Sequence, residues 1–193
     1  PQVRKVPTMP TRAERNIQKD KKDVDVAMIG SRAAPAMNDG GAAARRKPDI
    51  TEVYSPRRVT ASAAKYNLQP GWSLDLITVD NNGVPWDFSK GSRRKDARDL
   101  LEATRPKVLI GSPMCKAFSA LQALSAGKRN PAVVCRQLVE AEVHLRFCCE
   151  LYELQIRRGD YFVHERPAGA MSWKCECVRR IMAIPGVVAT VAD

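Results

Sequence analysis

Cys115 and the adjacent pair His164 and Glu165 are the residues whose types and positions could do chemistry together. Cys115 follows the apolar residues 108–110 and a Gly-Ser-Pro turn, whereas the pair comes directly after the apolar residues 161–163. Short apolar runs that end in turn residues are typical of strands buried in a parallel sheet. Ligand sites in such sheets lie beyond the carboxyl ends of the strands, so we expect the three side chains to meet at one edge. A thiol close to an imidazole and a carboxylate is a candidate nucleophilic site.

Hydrophobic periodicity and turn signals indicate the elements that must position these residues. The longest predicted helix begins at Pro131, after Asn130 as N-cap, and ends before Gly159. It connects the two apolar runs, as a crossover between parallel strands requires. Further strands are predicted at residues 50–54, 72–77 and 187–191, and further helices at residues 58–68, 96–104 and 173–183. This alternation predicts an α/β fold with a doubly wound, mostly parallel, Rossmann-like sheet.

Charge and composition divide the chain into two parts. The chain of 193 residues has a net charge of +11, of which residues 1–47 carry +6. Those residues also lack a sustained apolar period, so we interpret 1–47 as a disordered basic leader or linker and 48–193 as the folded domain. The basic balance favours a polyanionic partner, with nucleic acid first, although a solvated basic surface is the plainer interpretation.

The six cysteines and the lack of a targeting segment bear on location. The sequence contains neither a secretory signal peptide nor an apolar run near the roughly 18 residues that span a bilayer. We therefore expect free thiols in an intracellular, reducing compartment, nuclear or cytoplasmic, with no secretion and no membrane partner. The chain begins at Pro1 rather than at Met, which favours a fragment of a longer product.

Residues 111–119 resemble a known catalytic motif. They read Gly-Ser-Pro-Met-Cys-Lys-Ala-Phe-Ser, which is similar to the Gly-x-Pro-Pro-Cys-Gln-x-Phe-Ser motif of DNA (cytosine-5) methyltransferases. Residues 164–166, His-Glu-Arg, occupy the place of that family's Glu-Asn-Val, and residues 49–57 occupy the place of its first, cofactor-binding strand and loop. The resemblance spans residues 49–193, which are also similar to methyltransferase-like segments of protist retroelement polyproteins. It implies a Rossmann-like methyltransferase domain that is truncated before the family's later motifs.

The resemblance also implies roles for individual residues. Cys115 would attack C6 of cytosine, Glu165 would polarise the ring at N3, and S-adenosylmethionine would supply a methyl group to C5. The residues matched to cofactor binding are Glu52, Tyr54, Asp75, Asp87 and Pro113. The residues matched to nucleic-acid binding, with DNA preferred to RNA, are Lys116, Ser119, Arg129 and Arg166. Met114 and Lys116 depart from the motif, and the loop at residues 54–57 lacks glycines. The hypothesis that the domain is a divergent, inactive relative of the family therefore stays open.

Three other interpretations compete with methyl transfer. Cys115 and His164 could form a hydrolase dyad that Glu165 orients. Zinc could bind between two helices, although the usual structural zinc spacings are absent and no metal site is predicted. The residues of that weak zinc pattern are His144, Cys148, Cys175 and Cys177. The domain could also bind nucleic acid, or assemble with other segments of a parent polyprotein, without catalysing a reaction.

Overall fold

The computed structural model describes residues 25–30, 47–114, 116–119 and 129–192, which form an α/β fold. Within these residues the strands are β1 (Asp25–Gly30), β2 (Ile50–Val53), β3 (Pro70–Leu74), β4 (Val108–Gly111), β5 (Tyr161–Pro167) and β6 (Val187–Ala192). The α-helices are α1 (Val59–Ser62), α2 (Gly91–Thr104), α3 (Pro131–Arg158) and α4 (Glu176–Met182). Short 3-10 helical turns cover Ala63–Tyr66, Lys116–Phe118 and Met171–Lys174.

The strands form one mixed sheet in the order β3-β2-β4-β5-β1-β6. β2 is parallel to β3 and β4, and β4 is parallel to β5, whereas β1 is antiparallel to both β5 and β6. The predicted α/β class and mostly parallel sheet are confirmed, and the arrangement is compatible with a Rossmann-like fold. From β2 the chain runs outward to β3 and then returns across β2 to β4. The strand order therefore reverses between β2 and β4, and ligands of open α/β sheets bind beyond the strand ends at such a point.

Helix α3 has the ends that its sequence predicts. The Asn130 side chain accepts a hydrogen bond from the Ala132 backbone N–H at 2.9 Å, and Pro131 occupies the first turn. Gly159 ends the helix with a φ of 77°, in the left-handed region that glycine adopts without strain. The helix spans 28 residues, and no helix of the described part of the chain is both long enough and apolar enough to cross a membrane.

The inner face of α3 packs closely against the carboxyl half of β4 and the middle of β5. The Tyr152 ring stacks on Phe162 with ring centroids 4.5 Å apart. A Cβ added at Gly111 would collide with the Tyr152 hydroxyl and the Cys148 sulfur. Glycine at position 111 thus allows α3 to approach the end of β4, directly before the segment that contains Cys115.

Strand β1 lies inside the part of the chain that composition assigned to a disordered leader. Residues 25–30 pair along their whole length with both β5 and β6, and Met28 is fully buried. The predicted domain start at residue 48 is therefore too late, because this strand completes the sheet. Its partners are distant in sequence, so local composition gave no sign of the pairing. The rest of the predicted leader, residues 1–24 and 31–46, lies outside the described residues.

Several predicted element boundaries also move, including those of β3 and α2. The strand predicted at residues 72–77 is β3 at Pro70–Leu74, because Thr78 N donates to Asp75 O at 2.9 Å and closes a turn directly after it. The helix predicted from residue 96 starts at Gly91 and ends at the expected Thr104. None of these changes alters the order of the elements that surround the candidate site.

Candidate functional site

The carboxyl ends of β4 and β5 lie side by side, which confirms the predicted parallel pairing. Gly111 pairs with His164 in the register of the two strands. Ser112, the first residue after β4, donates a hydrogen bond from Oγ to Glu165 Oε2 at 3.1 Å. The segment that follows β4 is thus joined to Glu165 at one edge of the sheet. Cys115 itself lies outside the described residues, so its approach to this edge stays a prediction.

His164 and Glu165 face opposite sides of the sheet, because successive residues of a strand alternate. His164 is 1% exposed, its Nδ1 lies 2.9 Å from the Tyr152 hydroxyl, and its ring packs edge-on against Trp173. Burial, together with the positive charge of Arg166, lowers the pKa of His164 to about 3, so the imidazole is neutral at neutral pH. Tyr152 rather than Glu165 is the orienting partner of His164. This arrangement contradicts the role of Glu165 in the alternative hydrolase hypothesis.

The Tyr152 hydroxyl joins α3, β4 and β5 in one buried network. It donates to the Gly111 carbonyl oxygen at 3.1 Å and accepts from the Cys148 thiol at 3.0 Å. Its remaining lone pair suits the Nδ1–H of His164, which fixes the tautomer of that ring. Burial raises the pKa of Cys148 to about 12, so the thiol keeps the proton that it donates. The sequence shows no sign of this network, because its members lie far apart along the chain.

Arg166, predicted to contact nucleic acid, lies inside the fold with 1% of its surface exposed. Its Nη1 donates to the Met114 carbonyl oxygen at 3.3 Å, and its Cζ lies 5.8 Å from the centre of the Phe118 ring. The guanidinium therefore contacts a residue on each side of Cys115. This geometry suits support of that segment, and its burial contradicts the predicted direct contact with phosphate.

A cavity of about 480 Å³ opens beside the same segment. Its lining includes Met114 and Lys116, the immediate neighbours of Cys115 in sequence, and Arg129 from the start of the α3 region. The other lining residues are Ala117, Gln137, Glu140 and Ala141. The volume lies within the range of roughly 300–1,000 Å³ that is usual for small-ligand sites. Two predicted nucleic-acid contacts, Lys116 and Arg129, are thus brought to one cavity.

Two further predicted residues lie close to this cavity in the chain. Pro113 is buried and follows Ser112, whereas Ser119 is half-buried at the end of the short turn after Cys115. The backbone N–H of Ser119 donates to the Lys116 carbonyl oxygen at 3.4 Å. Both residues therefore belong to the segment between β4 and α3 that the motif covers.

Glu52 of β2, predicted to bind a cofactor, is buried and engaged within its own loop. Its carboxylate accepts from Thr60 N at 2.7 Å, Thr60 Oγ1 at 2.6 Å and Ser55 Oγ at 2.9 Å, and also from Val59 N at 3.2 Å. Burial acts to raise the pKa of Glu52, but hydrogen bonds from Thr60, Ser55 and Val59 outweigh it and hold that pKa below its ordinary value. The Glu52 carboxylate thus accepts hydrogen bonds from backbone N–H groups of the loop that follows β2.

Tyr54, a second predicted cofactor residue, is also buried. Its hydroxyl lies 3.1 Å from His144 Nδ1, and its ring packs edge-on against Phe88. Burial raises the pKa of Tyr54 and lowers the pKa of His144, so both groups are neutral at neutral pH. His144 is therefore hydrogen-bonded to Tyr54, while Cys148 is hydrogen-bonded to Tyr152. Among the described residues, no three His, Cys, Asp or Glu side chains lie together in a way that could hold a metal ion.

Asp75 and Asp87 lie in turns after β3. Asp75 Oδ1 accepts a hydrogen bond from the Ile77 backbone N–H at 3.0 Å. Asp87 Oδ1 accepts from Ser89 Oγ at 2.6 Å and from Ser89 N at 3.0 Å, and these bonds lower the pKa of Asp87. Asp75 directly follows the strand next to β2, which is where the ribose-binding acid of dinucleotide-binding sheets lies.

Comparisons of the chain with protein-family models, with curated proteins and with solved structures find no significant match.

Proposed function

We propose that this protein is a DNA (cytosine-5) methyltransferase-like domain of retroelement origin. The hydrogen bond between Ser112 and Glu165 carries the proposal, because it joins the segment before Cys115 to the carboxylate that the family motif needs. The position of β4 beside the strand-order reversal also supports it, since ligand sites lie at such points. The proposed setting is intracellular, in the nucleus or cytoplasm, and the free cysteines among the described residues support a reducing compartment.

The finer fold assignment, a doubly wound methyltransferase sheet, belongs to the same proposal. Contacts of two neighbouring residues of β3 support it. The Ser73 hydroxyl lies 3.0 Å from the hydroxyl of Thr60 in α1, and Trp72 Nε1 donates to Thr104 Oγ1 in α2 at 2.9 Å. Because neighbouring strand residues point to opposite faces, these contacts favour helices on both sides of the sheet.

The reaction needs a thiolate and a proton donor on the same cytosine ring, because C6 is a weak electrophile. In the proposal the Cys115 sulfur bonds to C6 while Glu165 provides a proton to N3, and the ring electrons move towards C5. Bound S-adenosylmethionine would supply the methyl group. A water molecule then takes the C5 proton, the electrons of that C–H bond restore the C5–C6 double bond, and the carbon–sulfur bond breaks to release the thiolate. Glu165 recovers its proton from N3. Arg166 contacts Met114 and Phe118, which lie on either side of Cys115 in the sequence, so its positive charge would favour an anionic sulfur in this segment.

The matched cofactor residues divide into two groups. Asp75 and Asp87 fit the role of ligands to the ribose and adenine of S-adenosylmethionine, because they lie in turns after β3, beside the strand-order reversal. Glu52 and Tyr54 do not fit direct contacts, because Glu52 accepts hydrogen bonds from its own loop and the Tyr54 hydroxyl pairs with His144. Their role in the proposal is to shape the loop after β2.

The cavity beside Lys116 and Arg129 is the proposed place for the target nucleotide. Its volume suits one base with its sugar, and its two cations suit the adjoining phosphates. A base in duplex DNA must leave the stack to enter such a cavity, at a cost of a few kcal/mol. The proposed partner is therefore nucleic acid. The resemblance to DNA methyltransferases favours DNA over RNA.

Covalent trapping tests this function. Duplex DNA that carries 5-fluorocytosine is incubated with the protein and S-adenosylmethionine, and the adduct is detected by denaturing gel and mass spectrometry. We expect an adduct at Cys115 that is lost in Cys115→Ser and kept in Cys135→Ser, the control at an exposed cysteine of α3. An adduct that maps elsewhere, or no adduct from folded protein that binds both ligands, would overturn the proposal.

A non-enzymatic nucleic-acid-binding or assembly domain is the second candidate. One observation favours it. The backbone N–H groups after β2 donate hydrogen bonds to the Glu52 carboxylate, so they are not free to bind an anionic ligand. Calorimetry with S-adenosylmethionine separates the two candidates. Binding of the cofactor supports the enzyme, whereas salt-dependent retention of DNA without cofactor binding supports the second candidate.

A further inference from the structure

Cys149 and Cys177 form a pair of thiols between α3 and α4, away from the proposed active site. Cys149 is buried on α3, and Cys177 is half-buried on α4. The two thiols line one groove between these helices and lie close enough for each to shift the pKa of the other. Val178 and Ile181 of α4 are fully buried, so the two helices are held together by core packing. The sulfur atoms therefore stay adjacent without a covalent link.

A groove of about 270 Å³ gives small molecules access to this pair. Its lining combines the two thiols with charged side chains from both helices: Arg146, Glu150, Glu176 and Arg180. Arg146 is hydrogen-bonded to Glu142 at 2.8 Å, and Arg180 to Glu153 at 2.6 Å. The thiols of Cys148 and Cys175 also lie close enough to interact with the charge of Cys177. The groove is thus polar and open to solvent, as a reactive cysteine requires.

We propose that Cys149 and Cys177 are a peroxide-reactive dithiol that forms a reversible disulfide between α3 and α4. Cys177 is the attacking thiol, because it is the more exposed of the two thiols that line the groove. Cys149 is the resolving thiol, because it is more deeply buried than Cys177. This proposal is independent of the methyltransferase function, since neither residue belongs to that site.

The chemistry balances with hydrogen peroxide as the oxidant. The Cys177 thiolate attacks one peroxide oxygen, the O–O bond breaks, and hydroxide leaves with the electron pair to become water after protonation. Cys177 is then a sulfenic acid. The Cys149 sulfur attacks the Cys177 sulfur, the S–O bond breaks, and a second water leaves. Two thiols and one peroxide thus yield one disulfide and two waters, and a small dithiol reductant reverses the change.

The protonation behaviour of the pair supports this assignment of roles. The neighbouring Cys149 thiol lowers the pKa of Cys177 to about 7. The Val178 backbone N–H and Arg146 act in the same direction, whereas burial and Glu142 act against it. The neighbouring Cys177 sulfur and burial raise the pKa of Cys149. The Cys177 thiol therefore ionises more readily near neutral pH than a free cysteine, whose pKa is about 8.5.

Peptide mapping after brief peroxide treatment tests the proposal on the full chain. The protein is oxidised, alkylated, and digested with a protease that cuts after glutamate, since Glu176 separates Cys175 from Cys177. We expect one intramolecular link, assigned by fragmentation to Cys149 and Cys177, that a dithiol reductant removes. In Cys177→Ser the rate of peroxide-dependent thiol loss should fall about tenfold, while Cys175→Ser and Cys135→Ser keep the wild-type rate.

Specific results would overturn the proposal. These are a link that joins Cys175 to Cys149, a link between two molecules, or an unchanged rate in Cys177→Ser. If Cys149→Ser or Cys177→Ser does not fold, the mapped link in the wild-type chain and in Cys175→Ser decides the question. Absence of the mapped link under conditions that oxidise Cys135 contradicts the proposal.

Discussion

At the scale of single residues, the site depends on buried polar side chains whose partners are far apart in sequence. Tyr152 is the clearest example, because its hydroxyl meets Gly111, Cys148 and His164. The network leaves His164 neutral and fixed, with its pKa far below the usual range. His164 thus has a positioning role in this structure, whereas Glu165 faces the segment that contains the proposed nucleophile.

Tyr152→Phe tests the network. It removes one hydroxyl and leaves His164 Nδ1 and the Gly111 carbonyl without this partner inside the fold. We expect a loss of about 1–3 kcal/mol in the free energy of unfolding, measured by denaturant titration. The matched control is Tyr161→Phe, at a tyrosine that is 44% exposed, which should change stability by less than about 0.5 kcal/mol. Equal effects in both variants would contradict the network.

Glu52→Gln tests the carboxylate that closes the loop after β2. The neutral amide presents N–H groups to donors at Thr60 and Ser55. We therefore expect the free energy of unfolding to fall by about 1–3 kcal/mol. The folded-state pKa of Glu52 lies below its ordinary value of 4.5. The stability that the ionised Glu52 carboxylate gives the wild-type protein is therefore fully present above pH 4.5. It is lost as the pH falls through the lower, folded-state value.

The control for Glu52→Gln is Glu102→Gln, at an exposed side chain whose ion pair to Arg158 spans 3.7 Å. Melting temperatures are measured from pH 7 to pH 3. The value for Glu52→Gln should approach the wild-type value in acid, while the value for Glu102→Gln should stay close to the wild-type value at every pH. A constant difference between Glu52→Gln and the wild type at every pH would rule out the proposed charge effect.

At the scale of elements, the approach of α3 to the end of β4 sets the position of the segment that contains Cys115. The helix has the length and the ends that its sequence predicts, but only the fold shows that it contacts Gly111. β4 and β5 are then held in parallel register, with Ser112 next to Glu165. Small changes at this contact are expected to move the candidate site.

Gly111→Ala tests that contact. The added methyl group would collide with the Tyr152 hydroxyl and the Cys148 sulfur, so we expect the free energy of unfolding to fall by about 1–3 kcal/mol. We also expect a lower yield of the covalent DNA adduct at Cys115. Gly169→Ala is the control, because an added Cβ there meets no atom within 4 Å. Gly111→Ala with wild-type stability and wild-type trapping would show that the close approach is unimportant.

At the scale of the whole molecule, β1 connects β6 to the rest of the sheet. β1 pairs with β5 on one side and with β6 on the other. A short segment from the basic part of the chain thus joins the sheet between two strands from the other end of the sequence. The fold therefore depends on residues that composition alone separates from the domain.

Truncation tests this dependence. Removal of residues 1–30 takes away β1, so β6 loses its sheet partner and Met28 leaves the core. We expect the cooperative thermal transition to be lost or to move to a clearly lower temperature. Removal of residues 1–24 alone leaves β1 in place and should keep the transition. Equal melting curves for the two truncated chains would contradict the role of β1.

The sequence by itself determined the α/β class, the ends of α3, and the two strands whose carboxyl ends carry the candidate residues. These features follow from local periodicity, capping residues and turn signals, which act over a few neighbouring positions. Only the tertiary structure decided that β1 completes the sheet, that Glu52 and Tyr54 are engaged inside the fold, and that Tyr152 orients His164. Strand pairing and buried hydrogen bonds join residues that are distant in sequence, so no local pattern specifies their partners.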